Sequence, residues 1–298
     1  MASADTTGRP VAAIVASEHT VEGGGFDVHR AFPTSSLDLL DPFLLLDEMA
    51  PVDHPPGQAV GAPAHPHRGF ETVTYILQGE VEHRDSAGNH GLIGPGDVQW
   101  MTAGDGIVHA EMPSARIQAE GGRGHGLQLW VNLPRSLRRT QPRYQSLPND
   151  TLARAAGPGW KAEVCAGSIL GATGPAETHT PVGLARLTVQ PGTRLAIPVP
   201  ADHNAALYGL GGRATVGGSS TVGTHELAVF ERGEGDVVVE VASDDAAAFD
   251  ALLMTGVPIG EPIARYGPFV MNTQAEIQEA IKDYRNGAMG TLDPVGTA

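Results

Sequence analysis

The sequence predicts an all-β protein whose short antiparallel strands form sandwiches or barrels. Its 298 residues include 39 glycines and 23 prolines, well above average usage, which indicates many turns. Between these turns lie short runs rich in β-branched and aromatic residues, such as residues 71–78. Short strands at this spacing, each bounded by turn residues, are typical of antiparallel sandwiches and barrels.

Turn patterns and composition also predict how the chain is divided. Gly94-Pro95-Gly96-Asp97 has a rough echo in Gly233-Glu234-Gly235-Asp236, which suggests two copies of one fold. Residues 134–160 hold prolines, arginines and small residues, and we interpret them as a linker. We therefore predict an N-terminal domain at residues 1–133 and a C-terminal domain at residues 161–298. The second ends in a helix, because a capping box begins at Thr273 and an apolar face follows it.

The net charge limits which partners are expected, and the cysteine content indicates a cellular compartment. The net charge is −15, which argues against direct binding of nucleic acids or of anionic membrane surfaces. No apolar run is long enough to span a membrane, and the polar segment from Met1 to Pro10 predicts no signal peptide. Cys165 is the single cysteine, which favours a reducing compartment, and we expect a cytoplasmic protein.

Two histidine-containing motifs predict a metal centre. His65-Pro66-His67 and His109-Ala110-Glu111 each place two potential ligands at positions i and i+2. Residues two apart on a strand point to the same face, so two such strands can direct four ligands at one point. Three imidazoles and a carboxylate suit one transition-metal ion such as iron, and open coordination positions would allow oxygen chemistry.

The remaining histidines show no comparable pattern. We interpret His54, His83, His90 and His125 as residues of loops or strand ends, and nothing pairs them as metal ligands. The second half of the chain lacks ligand pairs, and His203 stands alone there. We therefore expect the metal in the first domain only.

Five sequence blocks, in order, carry a resemblance to a known family. They are His65-Pro66-His67-Arg68-Gly69-Phe70-Glu71-Thr72-Val73, Pro95-Gly96-Asp97-Val98-Gln99-Trp100-Met101-Thr102-Ala103-Gly104, His109-Ala110-Glu111-Met112-Pro113, Gly126-Leu127-Gln128-Leu129-Trp130-Val131-Asn132-Leu133-Pro134 and Gly267-Pro268-Phe269-Val270-Met271-Asn272-Thr273. In these blocks the chain resembles the pirin family of the cupin superfamily.

The resemblance implies a bicupin, that is, two jelly-roll β-barrels with a short C-terminal helix. It implies one mononuclear metal, usually iron, held in the N-terminal barrel by His65, His67, His109 and Glu111. The spacing of the wider superfamily offers Glu71 as an alternative fourth ligand. The resemblance favours Glu111, and Glu71 would then orient a ligand imidazole.

Two functions follow from the resemblance. The first is a quercetin 2,3-dioxygenase, which would open flavonols with dioxygen and use Glu111 as the base that takes a hydroxyl proton. The alternative is a metal- or redox-dependent regulatory protein that binds a metabolic enzyme or a transcription factor. We favour the dioxygenase as the working hypothesis.

Overall fold

The computed structural model describes residues 8–22 and 24–292, and strands dominate this part of the chain. Most of the polar N-terminus from Met1 to Pro10 lies outside the described residues, so the structure does not bear on the predicted absence of a signal peptide. The all-β prediction is confirmed, and so is the helix near the C-terminus.

The strands and helices have the following bounds. The strands are β1 Val11–Ala16, β2 Glu18–Glu22, β3 Phe26–Phe32, β4 Phe43–His54, β5 Ala62–His67, β6 Phe70–Gln78, β7 Val81–Asp85, β8 His90–Ile93, β9 Val98–Thr102, β10 Ile107–Pro113, β11 Gly122–Asn132, β12 Arg143–Leu147, β13 Ala153–Gly157, β14 Trp160–Ala166, β15 Ser168–Ile169, β16 Ala172–Thr173, β17 Val182–Val189, β18 Arg194–Ile197, β19 Asn204–Gly211, β20 Ala214–Val216, β21 Ser220–Val222, β22 Glu226–Phe230, β23 Val237–Glu240, β24 Phe249–Gly256, β25 Ala264–Tyr266 and β26 Phe269–Met271. The helices are α1 Ala115–Glu120 and α2 Gln274–Arg285, and short 3-10 turns cover Arg135–Leu137 and Asn149–Thr151.

The chain forms two compact units, each assembled from three segments. The first, here called the histidine unit, contains His19–His29, Phe43–Asn149 and Ile259–Ala298. The other, the companion unit, contains Met1–Glu18, Arg30–Pro42 and Asp150–Pro258.

These limits differ from the predicted division into two continuous domains at residues 1–133 and 161–298. The N-terminal strand β1 pairs with β22 of the companion unit, whereas α2 at the other end of the chain belongs to the histidine unit. Residues 134–160, predicted as a linker, contain β12 and β13. Strand pairing over long sequence separations therefore decides which segments belong to each unit.

The two units share one strand order. In the histidine unit a seven-stranded sheet runs β12-β9-β6-β11-β4-β3-β2 and a four-stranded sheet runs β5-β10-β7-β8. In the companion unit the corresponding orders are β1-β22-β19-β24-β17-β14-β13 and β18-β23-β20-β21. The two copies predicted from the sequence are thus present as two cupin barrels.

The two similar turn sequences that suggested this duplication do not lie at equivalent positions in the two units. Gly94–Asp97 precedes β9, whereas Gly233–Asp236 precedes β23, which is the counterpart of β10. The turn equivalent to the first begins at Gly223, before β22. In both equivalent turns a glycine N–H donates to the carboxylate three residues on, at 2.8 Å for Gly94 to Asp97 and 2.7 Å for Gly223 to Glu226.

The C-terminal helix begins as the sequence predicts. Thr273 is the N-cap, and its hydroxyl accepts a hydrogen bond from the N–H of Glu276 while the Glu276 carboxylate accepts one from the N–H of Asn272. Ile277 and Ala280 of α2 are buried in an apolar cluster with Phe269 of β26. Among the described residues, no helix combines the length and apolar character that crossing a membrane requires.

Candidate metal centre

The register of the four-stranded sheet brings the predicted ligands together. In the pairing of β5 with β10, His65 lies opposite His109 and His67 lies opposite Ile107. Because alternate residues of a strand share a face, His65, His67 and His109 point to the same side of this sheet. The ligand atoms of these three histidines all lie within 4.8 Å of one another.

Three ring nitrogens converge closely at the centre of this group. Nε2 of His65 lies 3.1 Å from Nε2 of His67 and 3.0 Å from Nε2 of His109. Nδ1 of His65 is 2.7 Å from the carbonyl oxygen of Pro63, and Nδ1 of His67 is 3.3 Å from that of Pro268. A carbonyl only accepts hydrogen bonds, so each Nδ1 carries a proton, and in the neutral rings each Nε2 presents a lone pair to the other.

The electrostatics favour neutral imidazoles at this point. Burial, together with the neighbouring His65, lowers the pKa of His67 well below its usual value, against the opposing hydrogen bond to Pro268. Burial and the surrounding histidines also lower the pKa of His109 well below its usual value. Neutral imidazole is the form that binds metal ions.

The spacing of these nitrogens fits a metal ion. Two ligands at about 2.1 Å from an ion and at right angles would lie about 3.0 Å apart, which is close to the separations measured here. Without a cation, the lone pairs of His65 and His67 would face each other at this distance in a partly buried site. The donor set and its geometry therefore fit one transition-metal ion.

Glu111 is positioned beside this group by two side chains. Its Oε1 accepts a hydrogen bond of 2.6 Å from the hydroxyl of Thr74 and one of 2.8 Å from the amide of Gln99. Its ligand atom lies within 4.8 Å of those of His109 and His83, and these three residues form a second group. That Glu111 binds the same ion as the three histidines remains a prediction.

Glu71, the alternative ligand, lies elsewhere in the unit. It belongs to β6 of the seven-stranded sheet and is completely buried. Its Oε1 accepts a hydrogen bond of 2.7 Å from the hydroxyl of Thr102. Among the described residues, neither ligand group contains Glu71.

The interpretation of His83 and of His125 as residues of loops or strand ends was wrong. His125 lies within β11, and its Nε2 is 2.7 Å from Oε1 of Glu48. His83 lies within β7, is completely buried, and its Nε2 is 3.2 Å from Oδ2 of Asp85. Its ring also stacks on Tyr144, with 4.7 Å between ring centroids. The available sequence signal was His83-Arg84-Asp85, a third i, i+2 pair of potential ligands.

Two further groups beside the centre have shifted pKa values. Burial raises the pKa of Asp85, but hydrogen bonds from His83 and Asn89 outweigh this effect and leave it lowered. Burial, together with the charges of Glu111 and Asp85, raises the pKa of Tyr144 to about 12. At neutral pH, Asp85 is therefore a carboxylate and Tyr144 a neutral phenol.

Aromatic rings form one wall of the centre. Phe70 and Trp130 both meet the ring of His67 at a steep angle, with centroid distances of 5.1 Å and 5.2 Å. Phe70 is fully buried, so this side of His67 faces apolar surface. These contacts fix the imidazole plane and keep water from it.

A segment from the far end of the chain supports His67 from behind. The carbonyl of Pro268 faces Nδ1 of His67, and a backbone hydrogen bond of 3.1 Å joins the N–H of Val270 to the carbonyl of Arg68. The buried guanidinium of Arg138 donates to the carbonyls of Gly69 and Val270, at 2.9 Å and 3.1 Å. The orientation of His67 therefore depends on residues about 200 positions away in the sequence.

Comparison with known proteins agrees with this architecture. The family model described as Pirin matches residues 25–131, and the model described as Pirin C-terminal cupin domain matches residues 184–290. Pirin-like protein 2 of Arabidopsis thaliana is 42% identical over 294 residues, which cover 97% of this chain and 88% of the relative. Pirin of Homo sapiens is 40% identical over 280 residues, with 93% and 92% covered.

Solved structures show the same likeness. The crystal structure of a quercetin 2,3-dioxygenase from Acinetobacter baumannii superposes with a TM-score of 0.89 at 36% sequence identity. The superposition covers 96% of this chain and 99% of that one. With both family models matched in order and close relatives aligned over nearly their whole length, this chain belongs to the pirin family of bicupin proteins.

Proposed function

We propose that this protein is a metal-dependent dioxygenase that opens flavonols such as quercetin. The observation that carries the proposal is the convergence of three imidazole Nε2 atoms, with separations of 3.0 and 3.1 Å, beside the oriented carboxylate of Glu111. The similar solved structure from Acinetobacter baumannii, described as a quercetin 2,3-dioxygenase, supports the choice of substrate.

The proposed ligands are His65, His67, His109 and Glu111, and iron is the proposed ion. A bound iron ion would supply Lewis acidity toward a substrate hydroxyl and the redox chemistry that a reaction with dioxygen requires. The single cysteine points to a reducing compartment, so we place this reaction in the cytoplasm.

Glu111 is the proposed base for the substrate hydroxyl. Thr74 and Gln99 hold its Oε1 through two hydrogen bonds, which orients the carboxylate and leaves Oε2 as the atom that would bind the ion and that, once detached from it, would take the proton. Both supporting side chains are buried, so their geometry persists while the proton moves. Removal of this proton leaves the substrate as the electron-rich anion that dioxygen can attack.

The apolar wall has a separate role in the proposed reaction. Trp130 is only partly buried and presents ring surface next to His67, with the buried Phe70 packed against it, and this surface suits the flat face of an aromatic substrate. The same surface excludes water, which strengthens electrostatic interactions within the site. An aromatic enol or phenol is therefore a better match than a small polar acid.

The test combines metal analysis with oxygen uptake on the same preparations. Wild type, His65→Ala and His90→Ala are purified without an affinity tag, and oxygen consumption is followed on addition of quercetin. His90 is an exposed histidine on the neighbouring strand β8, hydrogen-bonded to Glu82, and serves as the matched control. We expect uptake by wild type and by His90→Ala, with loss of uptake and lowered metal content in His65→Ala.

Two results would overturn this proposal. One is a His65→Ala variant that consumes oxygen at the wild-type rate. The other is a fully metal-loaded wild type that consumes none with quercetin or related flavonols, and this second result would favour the regulatory alternative. Comparing the partners recovered by metal-loaded wild type and by metal-free His67→Ala would then examine that alternative.

A further inference from the structure

The inner face of the four-stranded sheet carries a third polar pair beside the proposed ligands. In the pairing of β10 with β7, Glu111 lies opposite His83 and His109 lies opposite Asp85. Both His83 and Asp85 are completely buried as side chains. The proposed reaction makes no use of this pair, although it borders the reacting centre.

The hydrogen bonds of Asp85 determine which nitrogen of His83 is available. Asp85 accepts hydrogen bonds from the N–H groups of Ala87 and Asn89 at Oδ1, and from the side-chain amide of Asn89 at Oδ2. These bonds fix its carboxylate, which in turn accepts from Nε2 of His83 at 3.2 Å. His83 therefore carries a proton at Nε2, and in the neutral imidazole its Nδ1 has a lone pair.

That Nδ1 atom is buried and has no hydrogen-bond partner among the described residues. Buried polar atoms are nearly always paired, so an unpaired one in a native fold calls for an explanation. A carboxylate behind one nitrogen of a histidine is the usual support for a histidine that binds a metal through the other. His83 and Asp85 have this arrangement.

The surroundings of His83 complete a donor set. Ligand atoms of His83, His109 and Glu111 all lie within 4.8 Å of one another. Two imidazoles with one carboxylate form the donor set of many non-haem iron(II) sites, and it also suits other divalent first-row ions. The carboxylates of Asp85 and Glu111 would balance the charge of such an ion. Tyr144, stacked on His83, covers this side with a half-buried aromatic ring.

We propose that His83, His109 and Glu111 form a second position for a divalent first-row transition-metal ion, with Asp85 as the residue that orients His83. This position shares His109 and Glu111 with the ligand set proposed above, so an ion occupies one position or the other. It depends on the proposed function only through these shared residues, and it makes no claim about the substrate or the reaction.

Cobalt(II) is a suitable probe, because its visible absorption reports the number and type of its ligands. Tag-free, metal-free protein is titrated with cobalt(II) in four forms: wild type, His65→Ala/His67→Ala, the same double variant with His83→Ala, and the same double variant with His90→Ala. The double variant removes the first position and keeps the second. His90 on β8 again provides the matched histidine control.

The double variant should still bind about one equivalent of cobalt(II), more weakly than wild type and with a different spectrum. Adding His83→Ala should weaken that binding at least about tenfold, whereas adding His90→Ala should leave it unchanged. Asp85→Asn in the double variant should weaken it about 10–100-fold, as expected for a residue that supports a ligand.

The proposal is overturned if the double variant binds no more cobalt(II) than the variant that also lacks His83, or if loss of His83 leaves the affinity unchanged. Thermal unfolding monitored by circular dichroism establishes that each variant is folded. Should His83→Ala unfold, His83→Gln in the double variant is titrated instead and judged by the same two results. Because quercetin is absent throughout, failure of the dioxygenase proposal would leave these results intact.

Discussion

The two four-stranded sheets share one strand order but carry opposite chemistry on their inner faces. In the histidine unit His65 faces His109 across the β5–β10 pair, whereas in the companion unit Leu195 faces Val239 across the β18–β23 pair. Two residues further along the same strands, the position of His67 corresponds to that of Ile197. Both companion residues belong to one continuous apolar core.

The correspondence extends to the third strand of each sheet. Asp85 faces His109 in the histidine unit, and Val216 faces Val239 in the companion unit. Val216 and Val239 are fully buried members of the companion core. Counterparts of the site residues in the companion unit are therefore aliphatic side chains that could not bind a metal.

This difference separates the requirements of the fold from those of the site. The companion barrel shows that the same strand order forms around an apolar core with aliphatic residues at these positions, through burial of apolar surface. Histidines and carboxylates at these positions are thus not needed for folding, and burying them costs stability unless a partner compensates. An ion at the centre would provide that compensation.

The largest expected effect comes from exchanging the chemistry of the two sheets. His65→Leu/His67→Ile gives the histidine unit the residues of its companion. We expect complete loss of oxygen uptake and loss of the tightly held metal, because two of the converging nitrogens are removed. The metal-free variant should unfold at the same denaturant concentration as metal-free wild type or at a higher one, since aliphatic side chains replace buried polar rings. Retained turnover would contradict the comparison.

A second test concerns the C-terminal segment that supports His67. Gly69 has a φ of +92°, and a methyl group there would overlap the carbonyl oxygen of Val270. We expect Gly69→Ala to lower the free energy of unfolding by about 2–4 kcal/mol. It should also weaken metal binding about tenfold, because the carbonyl of Pro268 is displaced from His67.

The control for this substitution is Gly88→Ala, at a φ of +89° with no atom within 4 Å of the added methyl group. Its cost should be only that of the backbone conformation, about 1–2 kcal/mol, with metal affinity unchanged. Equal losses of metal affinity in the two variants would contradict the proposal that the C-terminal segment supports His67. Denaturant unfolding and metal titration supply both measurements.

A smaller effect is expected from the residues that orient Glu111. Thr74→Val keeps the side-chain shape but removes the hydroxyl that donates to Oε1. We expect kcat for quercetin to fall about 10–100-fold with metal content preserved. Thr72→Val is the matched control on the same strand, since its buried hydroxyl has no hydrogen-bond partner among the described residues. Similar kcat values for both variants would contradict this role for Thr74.

The smallest effect concerns Cys165 of the companion unit, whose thiol should be unreactive in the native protein. Burial, with a contribution from Glu163, raises the pKa of the Cys165 thiol to about 12. The thiolate is the reactive form, and a raised pKa keeps its population negligible at pH 8. Native protein should therefore not react with iodoacetamide, whereas protein unfolded in guanidinium should react once per chain. Rapid alkylation of the native chain would contradict the burial of Cys165 in this core.

The sequence was informative where function depends on local spacing. His65-Pro66-His67 and His109-Ala110-Glu111 could be identified because positions i and i+2 share a face of a strand. The same rule applies to His83-Arg84-Asp85, but residues 85–89 have a composition typical of a turn, which hides the pair in the sequence. Only the pairing of β7 with β10 shows that this pair borders the proposed ligands, because it places Glu111 opposite His83.

Long-range pairing explains what the sequence could not reveal. Nothing local indicates that β1 completes the companion sheet, or that the carbonyl of Pro268 faces a histidine 201 residues away. Nor does the sequence indicate that Arg138, within the segment predicted as a linker, is buried: its guanidinium is 1% exposed and donates to the carbonyls of Gly69 and Val270 and to the side-chain oxygen of Asn272. Each case depends on contacts that only the folded chain creates.

The central claim is that this centre binds a metal through the converging nitrogens, and anomalous X-ray scattering from crystals of the iron-loaded protein tests it most directly. We predict that the dominant anomalous peak lies about 2.1 Å from Nε2 of His65, His67 and His109, next to the Glu111 carboxylate. A dominant peak beyond bonding distance of these three nitrogens, or no ordered peak in fully loaded protein, would contradict the account.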